Sequence, residues 1–102
     1  MYSATDAAHD NVGIGLSALY TNTGGDRQVA VGNNTLYSNT TGSYNVAVGE
    51  GALTANTTAD YNTAVGYQAL RANTTGTQNT AVSRAMQLNT TGSYNTSIGM
   101  YS

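Results

Sequence analysis

The sequence contains no cysteine, proline, tryptophan or phenylalanine, and only 8% of its 102 residues are charged. Without cysteine there is no disulfide framework and no thiolate metal site. Without the large aromatics, and with 39% hydrophobic residues counting alanine and tyrosine, there is little to fill a conventional core. Five acidic residues face three arginines, for a formal net charge of −2. That balance offers no basic patch for nucleic acid and no polybasic stretch for anionic lipid. No apolar run approaches the ~18 to 20 residues of a membrane-spanning helix, and the opening MYSATDAAHD has neither the basic nor the apolar region of a secretory signal. The chain is short enough to be one domain at most.

Low charge with abundant asparagine, threonine and glycine would ordinarily read as disorder. Periodicity argues against it. Coils begin at Asn11, Gln28, Asn45, Asn62, Asn79 and Asn95, about seventeen residues apart until the last step, which is one shorter. Their consensus is N-t-A-V-G-x-x-A-L-x-x-N-T-T-G-x-Y. A branched aliphatic position is filled by Ile14, Val31, Val48, Val65, Val82 and Ile98, and a second apolar position by Leu19, Leu36, Leu53, Leu70 and Met86. A linker has no reason to hold volume so constant, whereas stacked near-identical coils do. Residues 1–10 read as an irregular start or partial coil, and residues 11–102 as the repetitive segment.

Within NVAVG the side chains alternate, with Val46 and Val48 on one face and Asn45, Ala47 and Gly49 on the other, which is the period of a strand. The following glycine favours a corner, GALTA reads as a second short extended segment, and NTTADY carries turn chemistry. The expected fold is all-β: a β-solenoid, or parallel β-roll, of about six coils with two short strands each. At ~4.8 Å per coil the column would be roughly 29 Å long. One valine, one leucine and two alanines per coil bury little apolar surface against the cost of ordering about seventeen backbones. Both faces of the strand suit burial, one bulky and one small. A side-by-side or intertwined homotrimer sharing the valine and alanine faces is therefore expected, with an end-to-end filament as the alternative.

Stacking places equivalent side chains above one another. Asn39, Asn56, Asn73 and Asn89 are expected to form an amide ladder at one corner, flanked by Thr40, Thr57, Thr74 and Thr90. Tyr44, Tyr61 and Tyr94 mark an aromatic column interrupted by Arg27 and Gln78, while Tyr20, Tyr37 and Tyr67 are candidate surface contacts. Catalytic chemistry has no constellation to stand on. His9 is the single histidine, with no motif pairing it to a serine, and Glu50 and Asp60 have no equivalents in sister coils. The glycine-aspartate nonapeptide of calcium-binding rolls is missing. No enzyme activity, cofactor or metal is expected. Ice binding is disfavoured because adjacent threonines in TT diverge on a strand.

The runs NVAVGEGAL, NTAVGYQAL and NTSIG resemble the β-roll repeats of trimeric autotransporter adhesin heads, and more closely the N-T-A-V-G-x-x-A-L repeats of phage tail fibres. The resemblance covers Asn11 to Gly99. It implies a trimeric, elongated shaft in a surface appendage, on a virion or outside a cell, that meets a host surface, with a surface glycan as the alternative partner. Two departures stand out: the coil is longer than the usual adhesin-head coil, and Ser83 replaces the motif glycine where a residue is missing. That coil's corner is expected to change, and whether the register follows is left open. The triplet Met1, Tyr2, Ser3 recurs as Met100, Tyr101, Ser102, which reads as a window cut from a longer repetitive fibre or a joint between molecules.

Overall fold

The computed structural model describes residues 9–101. The expectations resting on Met1, Tyr2, Ser3 and Ser102, and most of the 1–10 segment, lie outside the described residues. Six three-residue strands follow in order: β1 (Val12–Ile14), β2 (Val29–Val31), β3 (Val46–Val48), β4 (Thr63–Val65), β5 (Thr80–Val82) and β6 (Thr96–Ile98). They form one sheet in sequence order, each strand parallel to the next. The described residues contain no helix. The result is a β-solenoid of about five turns between first and last strand, with principal extents of 37 × 22 × 16 Å.

One expectation is corrected: each coil has one strand, not two. The GALTA segment is a pair of consecutive turns. Ala52 N–H donates to Gly49 C=O at 3.1 Å, and Asn56 N–H donates to Leu53 C=O at 3.2 Å. Backbone φ is positive at Gly51 (75°) and Leu53 (52°), which rules out an extended path. The same holds at Leu19, Leu36, Leu70 and Met86, with φ between 49° and 56°. A left-handed leucine costs roughly 1–2 kcal/mol, and burying its side chain returns about 1.5–3 kcal/mol. Burial wins, since Leu36, Leu53 and Leu70 are 0% exposed. The turns also keep their inter-coil bonds, as in Leu36 N–H to Ala52 C=O at 3.1 Å and Leu53 N–H to Ala69 C=O at 3.0 Å.

The core is narrow. It consists of the leucine row with Ala18, Ala52, Ala69 and Ala85, closed from the strand side by Ala30, Ala47, Ala64 and Ala81, and Met86 packs partly buried against it. The central residue of each strand points inward and its two neighbours point outward, a burial pattern seen from β1 through β5. The alternation expected from NVAVG is therefore present, but its sense is fixed by the coil's width: alanine fits between the strand and the leucine row. Valine stays outside.

The shortened coil shows how the stack tolerates a deletion. Gly15, Gly32, Gly49, Gly66 and Gly99 turn the corner after the strand with φ between 118° and 130°. In the fifth coil Ser83 turns it with φ 72°, and the left-handed residue that follows elsewhere, Gln68 in the coil before, has no counterpart. The corner changes as expected, but the register does not. Val82 pairs with Ile98, and Asn89 Nδ2 reaches Asn73 Oδ1 at 3.0 Å across sixteen residues instead of seventeen.

Candidate functional site

Polar side chains run through the column in vertical rows. In the expected ladder, Nδ2 of Asn56 donates to Asn39 Oδ1 at 2.9 Å, Asn73 to Asn56 at 3.1 Å and Asn89 to Asn73 at 3.0 Å. Asn22 extends the row, accepting from Asn39 at 2.8 Å. Each amide also donates to a carbonyl three residues on, Gly42 from Asn39 and Gly76 from Asn73, at 3.0 and 2.9 Å. The threonine row bonds to backbone instead: Thr40 Oγ1 donates to Thr57 C=O at 3.2 Å and Thr74 Oγ1 to Thr90 C=O at 3.2 Å.

A second asparagine ladder was not foreseen. Oδ1 of Asn45 accepts the backbone N–H of Asn62 at 2.9 Å, Asn62 accepts from Asn79 at 2.9 Å, and Asn79 from Asn95 at 3.0 Å. Their amides donate across the coil to the same corner carbonyls the first ladder uses: Gly76 C=O takes Asn73 at 2.9 Å and Asn62 at 2.8 Å. A carbonyl has two lone pairs, so both bonds are accommodated. Gln28, one methylene longer, instead donates to Asn22 Oδ1 at 3.1 Å and accepts from Asn45 at 3.0 Å. Asn39, Asn45, Asn56, Asn62, Asn73 and Asn79 are all 0% exposed. Buried and bonded to one another and to the backbone, these asparagines hold the column together.

Two of the acids, Asp26 and Asp60, bond to backbone as well. Asp60 Oδ1 accepts Ser43 N–H at 2.7 Å and Asp26 Oδ1 accepts His9 N–H at 2.8 Å, in a row where Ser43 and Ser93 hydroxyls accept Asp26 and Thr77 N–H groups. Asp60 is thereby tied to the backbone of the coil below, and the described residues hold no group of three or more side chains able to bind a metal.

Of the candidate surface contacts, Tyr20 and Tyr37 stack with centroids 5.1 Å apart and planes 7° apart. Tyr44 and Tyr61 do the same at 4.9 Å and 6°, with Arg27 5.7 Å above Tyr44. Arg84 lies 5.2 Å from the Tyr67 centroid and 4.9 Å from that of Tyr101. Each stacked pair uses one face of each ring on its neighbour.

The surface left without such a role is the outer side of the sheet. One row is Val12, Val29, Val46, Thr63, Thr80 and Thr96; the other is Ile14, Val31, Val48, Val65, Val82 and Ile98. The branched residues expected in the core or an interface are thus excluded from the column's own core, with Ile14 58%, Val65 38% and Ile98 71% exposed. The leucine positions take the core. Neither row contains a charge, and both run the length of the stack. Thr63, Thr80 and Thr96 share this face with Val65, Val82 and Ile98, so outward threonine does occur here at strand spacing, though in three coils only and in one row. No protein-family model, curated protein or solved structure matches the chain. No helix among the described residues is long and apolar enough to cross a membrane.

Proposed function

We propose that the chain is a structural segment of an extended surface fibre of the phage tail-fibre or adhesin type, assembled as a homotrimer of side-by-side columns and contributing to host attachment from a virion or extracellular surface. The observation that carries this reading is the uncharged outer face of the sheet, one row of which is branched aliphatic in every coil from β1 to β6, on a column whose buried polar side chains are spent on stacking. Contiguous exposed apolar surface of this kind marks an association site. A rod held by ladders suits a shaft.

The glycan-binding alternative draws on the exposed tyrosines, and the stacking of Tyr20 on Tyr37 favours the structural role over it. End-to-end growth remains the competing mode of assembly. The test compares the native chain with Val65→Asp and Gln68→Ala by size-exclusion chromatography with light scattering. Val65→Asp should dissociate the assembly, because it brings a charge into an apolar contact at a cost of several kcal/mol, while Gln68→Ala leaves the mass unchanged. An aspartate at position 65 that alters neither mass nor thermal stability would remove the strand face from the interface.

A further inference from the structure

The two outward rows differ in chemistry. The row of Ile14, Val31, Val48, Val65, Val82 and Ile98 is branched aliphatic in every coil, whereas the other changes from valine to threonine from Thr63 onward. Members of a row stand ~4.8 Å apart, and the rows themselves about 6.6 Å apart, two strand residues. A partner must meet knobs at that period over five intervals. An α-helix repeats at about 5.4 Å and would slip by roughly 3 Å over the same length, more than half a repeat. Another parallel-stacked column keeps step throughout, and a second copy of this chain supplies one.

We infer that a second copy packs lengthwise along the uniform row, with Val31, Val48, Val65 and Val82 at the centre of the contact, and with the row containing Thr63, Thr80 and Thr96 at its wetted rim. Burying the three outward hydroxyls against methyl groups would leave them unsatisfied, which is costly; at the rim they keep water. Rows of constant shape belong at the dry centre. This inference rests on the fibre reading and adds to it the contact line and the period of the partner.

Association about a rotation axis along the columns holds equivalent residues at one level, and with the uniform row turned toward that axis the equivalent residues of the copies meet beside it. The native chain has no cysteine, which allows a direct comparison. Val65→Cys and Thr63→Cys are oxidised with copper phenanthroline and run on non-reducing gels, with circular dichroism confirming the fold. A disulfide requires Cα atoms about 4.4–6.8 Å apart. Val65→Cys should give linked dimers at least tenfold faster than Thr63→Cys. Should the first variant not fold, Val48→Cys against Val46→Cys makes the same comparison one coil earlier. Faster linking through Thr63→Cys, or none through either in a protein that light scattering shows to be trimeric, overturns the contact line and leaves the fibre reading intact. A native chain that is monomeric overturns both.

Discussion

Gly49→Ala should lower stability by on the order of 3 kcal/mol or more. Two costs combine. At φ 119° the backbone lies where side-chain-bearing residues are strained, and a Cβ at Gly49 would stand 2.7 Å from both the carbonyl carbon and the oxygen of Gly66. Those are backbone atoms of the next coil, so nothing flexible can yield. Relief would require the coils to separate and break Gly66 N–H to Val48 C=O, a 2.7 Å bond. Ser83→Ala is the control: its φ of 72° is already that of a left-handed turn residue, and the change should cost ~1 kcal/mol or less. Urea denaturation followed by circular dichroism, with all variants at one protein concentration, measures both. Equal midpoints for Gly49→Ala and the native chain would contradict the close stacking of the corners.

The second large effect is at the ladder. Asn56 donates to Asn39 Oδ1 at 2.9 Å and to Ala59 C=O at 3.1 Å, and accepts from Asn73 Nδ2 at 3.1 Å. Asn56 Oδ1 also accepts from Asn62 Nδ2 at 3.5 Å, so Asn56→Leu, close in size, removes four bonds in a site that is 0% exposed. It leaves Asn39 Oδ1 without the Asn56 donor, and Asn73 Nδ2 with only its bond to Gly76 C=O. Each unsatisfied buried group costs about 1–3 kcal/mol, so a loss of roughly 2–4 kcal/mol is expected in the same denaturation series. The exposed Thr58→Ala, two residues away, should stay within ~0.5 kcal/mol of the native chain. Were Asn56→Leu as stable as the native chain, the amide row would be incidental to the stack.

Much of this architecture is legible in the repeat. Constant volume at Val48 and Leu53 fixes coil length, the alternation in NVAVG fixes the strand, and Asn39, Asn56, Asn73 and Asn89 show the first ladder because a polar residue kept at one place in successive coils has to stack. Three features are not legible for physical reasons. Alternation separates two faces without saying which is inside; the narrow space between strand and leucine row decides that in favour of Ala47 over Val48. Leucine in a left-handed turn runs against local preference, and only the burial of Leu53 in the assembled column overrides it. The second ladder is hidden because Asn45 and Asn62 read as small residues opening a strand, and their bonds go to backbone groups whose positions the sequence does not display. The change at Ser83 was legible as an altered corner, but the retained register depends on a turn residue that could be dropped without moving Asn89 from under Asn73.

The central claim is that the aliphatic outer face of the strands joins columns into a closed trimer. Sedimentation equilibrium over a dilution series measures it most directly. The account predicts one discrete species of three chains, with β signal and association lost together on dilution because folding gains from assembly. A stable folded monomer at every concentration would contradict it, and a continuous series of larger species would assign the assembly to end-to-end growth instead.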